Sequence, residues 1–363
     1  MKILHLLYSG LGGTGSSFFS LIKADENKKF GYEAIFAGVE DIRPEYITKC
    51  SFFKLPWKYL RKRRGVDMAF NRELVSTVKT SRSSIVLLHG SRFILLAKIA
   101  VIGGKNKKRV IVVETQSNQL KTNAEWAWLA VSLLFADHLV FLTDEFKQEI
   151  CKKFPLIYRP NRCSVINNGI DLTFFTPALK GTSKTIVLGM QSRIVAIKDH
   201  TTLIHAFALL QSQYTELDLL LKIAGDGSSL PEMKELARQL QVTNKIQFTG
   251  TLNEPELVCF LQSLDIYVHA SLGETMSTAL MQAMACKLPI VASDVPGINN
   301  MITDRVTGLL VPVQDKTALA KSIHSLINDR GKAASLKEAA YNFAKTHYSN
   351  KTMFAKYAAI FEK

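Results

Sequence analysis

Apolar residues gather into short runs rich in β-branched side chains at positions 3–8, 34–39, 84–89, 110–114, 138–143 and 165–167, with helical periodicity between them. Such runs predict buried strands, and their alternation with helices predicts the βαβ units of a doubly wound parallel sheet. The pattern breaks over residues 177–183, where Pro177, Gly181 and Ser183 predict a linker. It restarts with runs at 185–190, 219–224, 245–249, 266–269 and 290–292. The fold class expected is therefore α/β, with two Rossmann-like domains, residues 1–178 and 179–363. The chain should end in helices, the last of which, about residues 340–363, is a candidate to pack back on the first domain. Open α/β sheets bind ligands at the carboxyl ends of their strands, so two facing domains predict a functional interdomain cleft.

Composition narrows the class. Of 363 residues, 47% are hydrophobic and 21% charged, as in soluble globular proteins. The longest apolar stretch runs from Trp126 to Phe135 and stops at Asp137 and His138, short of the roughly 20 residues a membrane span needs. The opening run is too short for a secretory signal and reads as a first strand. Five cysteines with no Cys-x-x-Cys spacing predict reduced thiols in the cytoplasm, and no histidine spacing predicts a metal site or a cofactor.

Charge is uneven. Residues 1–180 carry 28 Lys and Arg against 15 Asp and Glu, a net of +13, whereas residues 181–363 carry 18 against 16, a net of +2. The densest segment runs from Lys54 to Arg64 and mixes Trp57 and Tyr59 with six cations. That mixture suits an anionic membrane surface at the inner face of the cytoplasmic membrane, and it also suits a solvated basic loop. Nucleic acid would fit the charge, but it is not the partner expected.

Three places carry candidate chemistry. The loop from Ser9 to Ser17 holds Gly10, Gly12, Gly13 and Gly15 between a strand and a helix, where backbone N–H groups can approach a phosphate or a sugar. Gly10, Gly12 and Gly15 also satisfy the dinucleotide fingerprint, with Glu40 after the second strand as a ribose-binding acid. A nicotinamide-dependent oxidoreductase is thus a competing reading. In the second half, Arg193 and Lys198 follow a strand and can neutralise a diphosphate as it departs. Further on, Glu274 precedes a helix opened by Thr275, Met276, Ser277 and Thr278, whose first N–H groups and dipole suit phosphate oxygens. Gln282, eight residues after Glu274, lies about two helical turns along and can address the same extended ligand.

These motifs, with the stretch 165–175, Ala224-Gly225-Asp226-Gly227, the stretch 248–252, the stretch 265–271 and the stretch 306–312, resemble in order the retaining glycosyltransferases of family four, also called group 1, with the GT-B fold. The resemblance covers nearly the whole chain. It implies transfer of a hexose or N-acetylhexosamine from a nucleotide-diphosphate sugar, most commonly UDP-linked, with the nucleotide sugar as substrate and no metal or cofactor. It implies a glycan or lipid-linked sugar acceptor, as in bacterial surface polysaccharide or lipopolysaccharide synthesis. Carried over, Arg193 and Lys198 bind the diphosphate and Glu274 contacts the transferred sugar. Gly12, Gly13, Thr14, Thr249, Thr275, Met276, Ser277, Thr278 and Gln282 line the rest of the donor. The chain departs from the family where Gln282 replaces a glutamate and where Pro296-Gly297-Ile298-Asn299-Asn300 replaces Gly-Gly-x-x-Glu. Glu114-Thr115-Gln116-Ser117 stands where many members place a histidine, leaving His89, Gln116 and Ser117 as acceptor-side candidates. A nucleotide-sugar epimerase of the same fold is a further alternative.

Overall fold

The first apolar run becomes β1 (Lys2–Tyr8), with residues 3–7 all buried, because a central parallel strand is covered on both faces. The computed structural model describes residues 1–10, 12–104, 107–178, 181 and 184–363, and the side chains of residues 12–14 lie outside the described residues. The chain divides into two compact units, Met1–Gly169 with Asn350–Lys363, and Ile170–Ser349.

In the first unit β1 is followed by α1 (Gly12–Ala24), β2 (Gly31–Gly38), α2 (Pro44–Phe52), β3 (Trp57–Arg61), α3 (Met68–Thr80) and β4 (Ile85–His89). Then come α4 (Ile94–Ile102), β5 (Arg109–Glu114), α5 (Asn123–Phe135), β6 (His138–Phe141), α6 (Asp144–Lys153) and β7 (Cys163–Val165). All pairings are parallel, in the order β3-β2-β1-β4-β5-β6-β7. Successive strand residues serve opposite faces. Leu4, Leu6, Ile35, Val86 and Val112 pack with α3, α4 and α5 on one side, while Leu7, Ala34 and Phe36 pack with Phe18, Phe19 and Tyr46 on the other.

The second unit runs β8 (Ile186–Gln191), α7 (His200–Gln213), β9 (Leu219–Ala224), α8 (Leu230–Gln239), β10 (Ile246–Gly250), α9 (Glu254–Ser263) and β11 (Ile266–His269). It continues with α10 (Thr278–Ala285), β12 (Ile290–Ser293), β13 (Leu309–Val311), α11 (Lys316–Asn328) and α12 (Arg330–His347). Its sheet is again parallel, in the order β10-β9-β8-β11-β12-β13. The strand order turns back between β1 and β4 in one unit and between β8 and β11 in the other, and crevices open at the carboxyl ends of such switch points.

The final helix, α13 (Asn350–Phe361), belongs to the first unit. It packs on α1, and Phe361 meets Phe30 edge to face at 5.4 Å. Helix C-terminal carbonyls have no partner within the helix. Here the Arg109 guanidinium donates to the carbonyls of Ile360 and Phe361, at 3.0 and 3.2 Å.

Two strands were not foreseen. The basic segment from Lys54 to Arg64 contains β3, an edge strand whose Leu60 enters the core while its cations face outward. Cations on an edge discourage pairing with another chain. β13 has only three residues, too few to establish a period.

Candidate functional site

The geometry of greatest chemical interest lies at the β8/β11 switch point. After β8 the chain dips at Ile194, which is fully buried, and turns through a single 3-10 turn over Ala196–Lys198. Asp199 follows in the left-handed region, at φ 32°, and caps α7 by accepting from the Thr202 N–H at 3.2 Å. The loop after β11 is tied to this one. Ser271 Oγ and the Leu272 N–H both donate to the Ile197 carbonyl, at 3.1 and 2.9 Å.

That tie brings the two loops' charged side chains together. The Lys198 ammonium pairs with Glu274 Oε1, the two side chains being 16% and 10% exposed. His269, the last residue of β11 and buried, lies with Nε2 2.9 Å from the same oxygen. Burial lowers the His269 pKa, and its bond to Glu274 only partly opposes this, so the ring is neutral. A neutral ring bonding a carboxylate through Nε2 carries its proton there, which leaves Nδ1 an acceptor 3.3 Å from the Tyr267 hydroxyl, whose single proton is shared between Nδ1 and the Gln191 carbonyl, also at 3.3 Å. Nearby His200, 3.1 Å from Ser192 Oγ, is pushed down to about 4 by burial and then by His269 and Lys198.

For Glu274, burial pushes the pKa up, but Lys198 and the His269 hydrogen bond outweigh it and hold the carboxyl at about 2, against a usual 4.5. Its contribution to stability is complete above pH 4.5 and is lost as pH falls toward 2. Urea titrations across that window should therefore show the wild type losing stability more steeply than Glu274→Gln. Equal slopes would remove the carboxylate from this role.

The rest of the predicted donor set divides. Ser277 caps α10, accepting from the Leu280 N–H at 3.3 Å, and its hydroxyl lies 3.4 Å from His269 Nε2. Thr275 and Thr278 are partly exposed on either side, whereas Met276, 7% exposed, is core. Gln282 is buried on α10 and accepts from Gln191 Nε2, while Gln191 Oε1 has no partner among the described residues. Arg193 is exposed and, among the described residues, does not reach Glu274. Thr249 sits at the end of β10, two strands from β8. Gly12, Gly13 and Thr14 open α1 in the other unit, with side chains outside the described residues.

Two glycines shape these loops. Gly225 has φ 136°, and a Cβ there would fall 1.9 Å from the Ser192 carbonyl oxygen, so the loop after β9 lies backbone to backbone on the Arg193 loop. Gly297 has φ 86°, and its Cβ would fall 2.2 Å from the Glu274 carbonyl oxygen.

The acceptor-side candidates lie at strand ends of the first unit. His89 Nε2 is 3.1 Å from His5 Nδ1, and burial pushes His89 down to about 3. Gln116 is bound into its own loop, its N–H donating to Glu114 Oε1 at 3.2 Å and its amide to the Leu120 carbonyl at 3.3 Å. The hydroxyl of Ser117 is buried without a partner among the described residues. The Glu40 carboxylate lies against Gly10, where a Cβ would fall 1.8 Å from its Oε2. His269, Tyr267 and Gln191 were not foreseen; the signal available was a histidine closing a strand five residues before Glu274.

Among the described residues no helix is long and apolar enough to cross a membrane. The chain is 30% identical over 224 residues to a D-inositol 3-phosphate glycosyltransferase of Kribbella flavida, covering 58% of this chain and 52% of that one. It is 27% identical over 274 residues to an uncharacterized glycosyltransferase of Methanocaldococcus jannaschii, covering 71% and 69%. The chain thus spans about half the length of the inositol-phosphate relatives it matches. Its fold matches that of Anabaena HepE, solved with UDP and glucose, at a TM-score of 0.85 and 18% identity over 100% of both chains. The model of the family described as Glycosyltransferase Family 4 matches residues 12–174, and that of Glycosyl transferases group 1 matches residues 175–343. With two parallel-sheet units of the GT-B type and both halves matched, the chain belongs to the family-4, group 1 glycosyltransferases.

Proposed function

We propose that this protein is a retaining glycosyltransferase that moves a hexose or N-acetylhexosamine from a UDP-linked donor to a glycan or lipid-linked sugar acceptor. The observation that carries the reading is the buried Lys198–Glu274 pair at the β8/β11 switch point, beside the start of α10. A cation for the diphosphate and a carboxylate for the sugar hydroxyls are thereby held within one ligand's length. Arg193, exposed on the same loop, adds the second positive charge. In the proposed reaction the donor's C1–O bond to the diphosphate breaks and a new C1–O bond to the acceptor forms on the same face. The acceptor's hydroxyl proton passes to the departing diphosphate oxygen. His89, Gln116 and Ser117 are the proposed acceptor contacts.

We place the reaction in surface polysaccharide or lipopolysaccharide synthesis, at the inner face of the cytoplasmic membrane. The basic excess of residues 1–180 supports this, with the segment from Lys54 to Arg64 beside anionic headgroups. Thermal shift with UDP, GDP, UDP-sugars and NADH tests the donor, since a ligand bound only by the folded state raises the melting temperature. UDP and its sugars should raise it, and NMR should find the product's anomeric configuration unchanged from the donor's. Stabilisation by NADH alone, or an inverted product, would overturn the reading.

A further inference from the structure

We infer that the outer face of α4 and α5 is a lipid-docking surface that seats the first unit on an anionic bilayer. This deepens the membrane-side reading above by naming the surface that enters the lipid, and its test does not depend on which sugar is transferred.

Except for Lys98, every residue of α4 is apolar. Ile94, Ala97 and Ala100 face inward and are wholly buried. The opposite positions are apolar too: Leu95, Ile99 and Ile102 recur at helical spacing on one stripe and are 40%, 57% and 82% exposed. On α5, which packs beside α4, Leu134 and Phe135 are 43% and 51% exposed. A single exposed leucine needs no explanation, but five large apolar side chains on neighbouring helices form a patch of the kind that marks an interaction site.

The patch has a cationic rim. Lys79, exposed at the end of α3, reaches the end of α4, where its ammonium lies 3.7 Å from the place a Cβ on Gly103 would take. Lys107 is exposed in the loop that follows α4. Lys98 lies at the seam, paired with Asp137 at 2.8 Å, while Lys108 turns inward onto the Val78 and Ser81 carbonyls. A two-fold contact between copies would set this patch against its own copy, where Asp137, the acid at the seam, is already paired with Lys98 and leaves the rim ammonium groups without an anion among the described residues of the patch. An anionic bilayer accommodates both features, with aliphatic side chains entering the acyl boundary and ammonium groups staying among headgroups. Around the segment from Lys54 to Arg64 the exposed apolar side chains, Phe52, Trp57, Val66 and Met68, lie on no single helix stripe; Leu55 and Leu60 are buried, and Lys58 and Arg61 are paired with Glu73 and Asp41.

The test is sedimentation of the full chain with vesicles of phosphatidylcholine, with and without phosphatidylglycerol. The wild type should bind the anionic vesicles selectively. The double variant Ile99→Glu, Ile102→Glu should lose partitioning by at least about tenfold, with its circular dichroism and melting unchanged. Leu156→Glu, altering a residue 98% exposed elsewhere in the unit, should bind as the wild type does. Three results would overturn the proposal: no selective binding by the wild type, undiminished binding by the double variant, or a wild-type dimer that the double variant converts to monomer. UDP-sugar hydrolysis should survive in the double variant. If instead no protein turns over donor while vesicle binding behaves as described, the transferase reading fails and the docking surface stands.

Discussion

Lys198→Ala is expected to lower glycosyl transfer by at least about a thousandfold, equivalent to roughly 4 kcal/mol of transition-state stabilisation. In the proposed reaction the ammonium meets the diphosphate as it gains charge, and its side chain is only 16% exposed, so water screens it weakly. Alanine also strands the carboxylate: among the described residues Glu274 would keep only His269, and removing one partner of a buried pair costs about 3–5 kcal/mol. The melting temperature should therefore fall as well, and His269, freed from Lys198's repulsion, should gain a proton more readily. The two effects separate by calorimetry with UDP well below the melting temperature. A folded Lys198→Ala protein that binds UDP and turns over donor as the wild type does would remove Lys198 from the mechanism. Lys198→Arg should recover part of the activity, since charge returns but the planar fork does not fit the space of an ammonium.

The second large effect is expected at Gly297. A methyl group at φ 86° carries about 1 kcal/mol of backbone strain, and here it would also strike the Glu274 carbonyl. The loop must move, so Gly297→Ala should cost about 2–4 kcal/mol and weaken UDP binding together with stability. Gly65→Ala is the control, because Gly65 has φ 81° but nothing within 4 Å of the added carbon. It should cost only the strain. Urea midpoints decide: if the two substitutions cost the same, contact with the Glu274 loop contributes nothing.

The legible parts of this fold were those where burial imposes a pattern. β1, β4 and β5 are covered on both faces, so they stand out as nearly continuous apolar runs, β1 interrupted only by His5. β3 did not, because an edge strand with one buried side chain reads like a basic surface segment. In the candidate site, Lys198 and Glu274 were legible through their spacing within a chain of motifs, and the structure brings them into contact. His269 and Tyr267 were not, because a polar ring inside an apolar strand looks the same whether it supports a carboxylate or fills the core. Arg193 shows the reverse limit: the motif names it, yet its guanidinium is solvated and apart from the pair. Gln282 was read as a ligand contact, but nothing in the sequence announces that Gln191, ninety-one residues earlier, holds its amide.

The return of α13 to the first unit orders events during synthesis. Domains generally fold as the chain emerges, with N-terminal parts first. Here the earlier unit lacks a helix until residues 350–361 leave the ribosome, and until then Phe30 lacks its contact with Phe361 and the Arg109 guanidinium lacks the carbonyls it binds. The unit spanning Ile170–Ser349 is continuous, so it can be finished first although it is made second. A nascent chain stalled before residue 350 should thus already resist protease over its later half while its earlier half is still being cut.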